Sequence, residues 1–177
     1  VRRMYMDCDV RLTCDGACSG NGKEKSWGGW AAILQANGHE LVVTGGERQT
    51  TNNRMELIGC IKGLERITKH GVLIEVVSDS EYVINAFARG WVEKWKQDGF
   101  DRVNGDLWLT LYAKVCLLKY WGCNFIWTHI PGHNKSDDTE RSGTQDRCDK
   151  LAKTEVKKLK AIDIIDVTKL QKKMGEK

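Results

Sequence analysis

Apolar and polar positions alternate from residue 7 to residue 14, with Val10, Leu12 and Cys14 on one side and Arg11 and Thr13 on the other. A period of two predicts a strand, and the turn-like run DGACSGNG predicts its end. WGGWAAIL (27–34) and ELVVTGG (40–46) read as two more strands joined through NGH. Asn-Gly between such runs is a strong hairpin signal. Over 52–68 the period changes: Leu57, Ile58, Ile61 and Leu64 recur at helical spacing and form one apolar stripe. VLIEVVSD (72–79) is nearly unbroken apolar, as suits a parallel strand buried on both faces. Helical patterns follow in SEYVINAFARG, WVEKWKQDG and DLWLTLYAKVCLLK, then a last strand, CNFIWTHI (123–130). PGHNKSDDTERSGT (131–144) reads as a polar loop and QDRCDKLAKTEVKKLK (145–160) as a helix. Residues 161–177 form a charged tail in which Ile162, Ile164 and Ile165 are too apolar for full solvation, so they are expected to pack against the body.

The element order is therefore β-β-β-α-β-α-α-α-β-α. Strands joined by short turns are antiparallel, and strands reached through helices are parallel. This predicts an α/β fold with a mixed sheet flanked by helices. The strands ending near Asp15 and Asp79 are expected to be parallel neighbours, which puts both acids where open α/β sheets bind ligands.

Length and composition narrow the class. A chain of 177 residues, 41% hydrophobic and 29% charged, suits one globular domain with a core. No apolar run approaches the length of a membrane span, and the start, VRRMYMDCDV, lacks the apolar centre of a signal peptide. The seven cysteines are odd in number and form no CxxC pair, so small reduced thiols are expected rather than a disulfide scaffold. His129 and His133 are separated by Pro131 and Gly132 and do not share a helix face, which disfavours zinc. The net charge is +4, but residues 147–177 hold ten Lys/Arg against five Asp/Glu, so the body is close to neutral. Basic character at this level favours an anionic partner without identifying it.

The chemistry rests on four acids. Glu56 falls in the first turn of the 52–68 helix, three residues after Asn53, at capping-box spacing. Asp15 could be a turn residue, Asp79 an N-cap, and Asp149, in the first turn or two of the last helix, a solvated acid. Alternatively, the sheet brings all four together. Clustered carboxylates need compensation, which hard divalent cations such as Mg²⁺ or Mn²⁺ supply. Two such ions about 4 Å apart assist phosphodiester hydrolysis by activating water and stabilising a leaving oxygen.

DGACSGNG, WGGWAAIL, TTNNRMEL, VVSDSEYV, the Trp91-x3-Trp95 helix, NGDLW, IPGH and RCDKLA occur in this order over about residues 9–155. This ordered set resembles type 1 ribonuclease H. The resemblance implies the ribonuclease H-like fold, a five-stranded mixed sheet of three antiparallel and then two parallel strands. It also implies hydrolysis of the RNA strand of RNA–DNA hybrids. By the same resemblance Asp15, Glu56, Asp79 and Asp149 are the metal-binding catalytic carboxylates, with two Mg²⁺ ions during catalysis and Mn²⁺ as a substitute. His133 falls on the family's mobile histidine, which serves proton transfer or product release. Asn21, Asn52 and Asn53 match positions that contact the RNA strand. Trp91 and Trp95, whose alternative is core packing, match the groove for the DNA strand, and Thr51 and Asn104 match its phosphate pocket.

Four departures stand out. The segment 89–102 holds four positive and three negative charges, where bacterial relatives usually have a longer, more basic protrusion. A pocket position that is often Arg is Gln49, beside Arg48. The loop between His133 and Asp149 is longer than usual and acidic. The family's amide near the last acid is Gln145. The expected organisation is a catalytic domain over 1–160 followed by a basic tail of unread role over 161–177, with an RNA–DNA hybrid as partner, no membrane association, a monomer and a cytoplasmic location. The competing readings are a ribonuclease H domain cut from a reverse transcriptase, a catalytically silent hybrid-binding module, and a junction resolvase or integrase of the same fold.

Overall fold

The computed structural model describes residues 8–131 and 139–175. These form a five-stranded sheet in the order β3-β2-β1-β4-β5. Its strands are β1 (Val10–Ser19), β2 (Trp27–Ala36), β3 (His39–Arg48), β4 (Leu73–Ser78) and β5 (Asn124–His129). The helices are α1 (Asn52–Leu64), α2 (Glu81–Ala88), α3 (Trp91–Gln97), α4 (Gly105–Tyr120) and α5 (Thr139–Gly175). β1, β2 and β3 pair antiparallel, while β4 is parallel to both β1 and β5. The mixed sheet expected from the element order is thus the one that forms. The β2–β3 hairpin turns on Asn37 and Gly38, with φ of 51° and 77°. This is the positive-φ pair that a two-residue hairpin requires.

Strand parity separates two cores. Leu12, Cys14, Ala32 and Leu34 enter the larger one, with Leu57, Leu64, Ile84, Trp108 and Leu111 from the helices. Ala31 and Ile33 pack on the other face with Cys148 and Ala152 of α5. Two glycines permit these close approaches. A Cβ on Gly16 would collide with the backbone of Met55 and Glu56, and one on Gly29 with the carbonyl of Ala152. α1 is buried well beyond its predicted stripe: every residue from Met55 to Ile61 is buried, because Trp30 and Leu107 cover Met55 and Ile58.

β4 carries one acid, Glu75, which is 3% exposed. It accepts from Arg11 Nε at 2.7 Å, Thr128 Oγ1 at 2.9 Å and Arg141 Nε at 3.0 Å, tying β1, β4, β5 and α5 together. Burial alone would push this carboxyl up, but the Arg11, Arg141 and Thr128 donors outweigh it and hold it below its ordinary value.

Several boundaries differ from expectation. β1 continues to Ser19 through the DGACS stretch that reads as a turn, because β2 supplies an antiparallel partner as far as Ser19↔Trp27. α1 stops at Leu64 instead of 68. α5 begins at Thr139, inside the expected loop, and runs 37 residues to Gly175 without a break at 160. Its first turns are held by Arg141 on Glu75 and by Arg11 on Glu140. Ile162, Ile164 and Ile165 are 46%, 67% and 52% exposed, so the expected packing of the three isoleucines does not occur. The helix meets the sheet there through Asp163, which accepts from Trp27 Nε1 and Arg48 Nε. The isoleucines flank that contact instead of making it. All seven cysteines are free thiols, as expected.

Candidate active site

The site forms where β1 and β4 part. Their parallel register ends at Thr13↔Val77, and Asp15 and Asp79 each lie two residues further on. Beyond that point β1 stays with β2, which opens a crevice at the C-terminal end of β4, the kind of place where α/β sheets bind ligands. Asp15 is therefore inside a strand rather than in a turn, and its own carboxylate accepts from Gly16 N at 2.7 Å. The N-cap position before α2 is Ser80, not Asp79.

Glu56 reaches the crevice because α1 passes directly over Gly16. The helix is capped by Thr51, whose Oγ1 accepts from Arg54 N at 3.3 Å, so neither Asn53 nor Glu56 does the capping. Glu56 sits two residues too deep for a capping box. It is 5% exposed, accepts from Asn52 Nδ2 at 3.2 Å through Oε1, and leaves Oε2 buried with no hydrogen-bond partner.

Oxygen atoms of Asp15, Glu56 and Asp79 lie within 4.8 Å of one another. Asp149 lines the same cleft without joining this triple, and accepts from Lys153 Nζ at 2.7 Å. It lies ten residues into α5, deeper than expected, since the helix starts earlier. Burial, with the charges of Asp79 and Asp149, pushes the Asp15 carboxyl up to about 7. Burial, with Asp15 and Asp79, drives Glu56 well above the carboxylate range. An all-oxygen cluster that cannot ionise unaided, holding a buried oxygen without a donor, fits a hard divalent cation.

The other expected site residues fall into two groups. Asn21 Oδ1 accepts from Asn52 N at 2.8 Å, joining the β1–β2 loop to the start of α1 beside Glu56, and Asn53 is exposed next to them. Thr51 and Asn104 are linked through Arg54: its backbone N–H donates to Thr51, and its Nη1 donates to Asn104 Oδ1 at 3.4 Å. Tyr82 OH, which also accepts from Trp108, takes a hydrogen bond from Asn104 Nδ2 at 3.1 Å. Arg48 turns away to Asp163, so the cation in this second group is Arg54, itself paired with Asp106 at 2.9 Å. Trp91 and Trp95 share a face of α3, with ring centroids 6.3 Å apart. Trp95 packs edge-on to Trp108 beneath Arg102, while Trp91 stays 36% exposed under Arg89. His133 lies outside the described residues.

Some contributors were not singled out from the sequence. Gln145, read only as a departure, donates to Asp79 Oδ1 at 3.1 Å. Lys153, Lys157 and Lys160 line the cleft with Asp149. Their helical spacing is visible in the sequence, but their destination is not.

The RNase H family model matches residues 7–157. A ribonuclease H of Acetivibrio thermocellus is 39% identical over 155 residues, covering 84% of this chain and 95% of that protein. Another from Caldanaerobacter subterraneus subsp. tengcongensis is also 39% identical over 155 residues, covering 84% and 92%. Among solved structures, LC9-RNase H1, described as a type 1 RNase H with the type 2 active-site motif, superposes with a TM-score of 0.65 at 26% identity, over 83% of this chain and 71% of that one. With the carboxylate crevice at the end of the central strands and a family match over most of its length, the chain belongs to the RNase H family.

Proposed function

We propose that this chain hydrolyses the RNA strand of RNA–DNA hybrids with two Mg²⁺ ions, replaceable by Mn²⁺, held by Asp15, Glu56, Asp79 and Asp149. The observation that carries the reading is the triple of carboxylate oxygens within 4.8 Å, drawn from β1, α1 and the end of β4. When bound, such ions lower the pKa of an attacking water and stabilise the leaving oxygen. The protein's own groups hold and orient. Asn52 fixes one oxygen of Glu56, and Gln145 fixes one of Asp79. Lys153 pairs with Asp149, a contact that Asp149 would give up in holding a metal.

Substrate contacts follow the two groups of polar residues. Asn21, Asn52 and Asn53 offer small amides beside the carboxylates, suited to 2′-hydroxyls in a shallow groove. Thr51 and Asn104 take a DNA phosphate, with Arg54 between them. Trp91 and Trp95 present ring faces to the deoxyribose strand. His133 serves proton transfer or product release, as the family resemblance implies. The catalytic unit spans 1–160, acts as a monomer and works in the cytoplasm.

The test is a cleavage assay on matched RNA–DNA, RNA–RNA and DNA–DNA duplexes with and without Mg²⁺. Cleavage of the hybrid alone, dependent on metal, is expected. Equal cutting of all three duplexes, or cutting in chelator, overturns the reading.

A further inference from the structure

The cleft that holds the carboxylates, about 500 Å³, has a second wall of opposite charge. Lys153, Lys157 and Lys160 line it together with Val156 of the same helix and Gly16 to Ser19 of β1. With Asp149 they fall at helical spacing on one face of α5, and the eleven residue steps from Asp149 to Lys160 span roughly 16 Å.

We propose that this face of α5 is a phosphate track for the RNA strand, extending the site along the backbone beyond the scissile linkage. The inference rests on the proposed hybrid-cleaving function. A wall of carboxylates repels an approaching phosphodiester chain. Divalent ions remove that repulsion only at the reacting linkage, so neighbouring phosphates need fixed cations.

The simpler role for these lysines, neutralising the acids, accounts for Lys153 alone, which bonds Asp149 at 2.7 Å. Lys157 and Lys160 lie one and two turns further along. Lys160 is also held in place: its Nζ lies 5.3 Å from the centroid of the Trp27 ring and donates to Ser19 Oγ. Trp27 is in turn fixed by Asp163. A long flexible side chain loses rotamer entropy when it is ordered, and tethering it over the cleft lowers what remains to be lost on binding.

The strand assignment follows from the lining. Thr51, Trp91, Trp95 and Asn104, the proposed DNA-strand contacts, do not line this cleft, whereas all four carboxylates do. The chain threading the lysine wall is therefore the one being cut.

The experiment compares wild type, Lys157→Gln, the double variant Lys157→Gln/Lys160→Gln, and Lys62→Gln at the far end of α1 as a charge control. Hybrid binding is measured against salt on the Asp15→Asn background, and kcat and KM on the active background. Each phosphate that is no longer neutralised should flatten the log–log salt slope by about 0.7–0.9, so the double variant drops by about 1.5 while Lys62→Gln keeps the wild-type slope. KM should rise several-fold with kcat within about twofold. Neutral methylphosphonate linkages in the RNA strand should abolish the difference from wild type, and the same change in the DNA strand should preserve it. An unchanged slope in both variants overturns the track, as does equal flattening in Lys62→Gln or a difference that vanishes only with a neutral DNA strand. A raised Mg²⁺ requirement at constant KM overturns it in favour of a purely charge-balancing role. Wild-type protein that prefers neither binding nor cleaving the hybrid would remove the parent function instead, and the track with it.

Discussion

Gln145 donates its side-chain amide to Asp79 at 3.1 Å, so the long last helix holds the carboxylate that follows the central parallel strand. Its other polar atom, Oε1, is buried with no partner. Removing a group that orients a metal-binding carboxylate typically costs about 10- to 100-fold in metal affinity or activity. Gln145→Ala should therefore raise the Mg²⁺ concentration needed for half-maximal cleavage within that range while leaving hybrid binding intact. A Mg²⁺ titration that superimposes on wild type would show that the hydrogen bond has no orienting role.

Glu56→Gln separates chemistry from stability. Thr51 caps α1, so the cap survives the change, and a neutral amide replaces a buried group whose charged form is disfavoured by burial and by Asp15 and Asp79. Cleavage should collapse while the metal-free urea midpoint stays the same or rises. A folded variant that still cleaves would remove Glu56 from the site.

Asp15→Asn should abolish Mg²⁺-dependent cleavage and spare hybrid binding. It also carries a pH signature. The Asp15 carboxyl is pushed from its ordinary 3.8 to about 7 in the folded protein, so folding takes up a proton between those values. Wild-type stability from this group is fully present below the unfolded value and is lost as pH rises through about 7. Asn lacks that loss. In chelator, the stability of Asp15→Asn relative to wild type should increase from about pH 5 to pH 8, by up to a few kcal/mol, and Mg²⁺ should shrink the gap. Urea melts at the two pH values measure it, and a pH-independent difference contradicts the cause assigned.

Glu75 tests how α5 is attached. It is the shared acceptor of Arg11 and Arg141, and Arg11 is itself 3% exposed. Breaking a buried pair by removing one partner costs about 3–5 kcal/mol. Glu75→Leu should lose stability on that scale in denaturant titration. A loss below about 1 kcal/mol would mean that water reaches the arginines.

His133→Ala should behave differently from the carboxylate variants. In the proposed proton-transfer or release role it would contribute about 10²- to 10⁴-fold, so activity should fall measurably but persist with an unchanged Mg²⁺ optimum. Loss equal to that of Asp15→Asn would make it a metal ligand.

The periodicity of the chain determined which segments are strands and helices and, through connection lengths, which strands run parallel. That is local information: alternation over 10–14, an Asn-Gly turn at 37–38 and a nearly unbroken apolar run at 73–77 each report one element's own conformation or burial. The candidate carboxylates were legible too, through the ordered motifs around them. Tertiary structure decided where elements end and what polar side chains do. β1 outlasts its turn-like sequence because β2 keeps pairing with it, and Glu56 leaves its apparent cap because Gly16 lets α1 close over β1. α5 starts in a polar stretch because Arg141 finds Glu75, 66 residues earlier. The lysines of α5 look like an ordinary solvated face in sequence, and they line the cleft only because that helix crosses β1 and β2. Such partners lie scores of residues apart, so no local window contains them, and the energies that choose them exist only after the chain has folded.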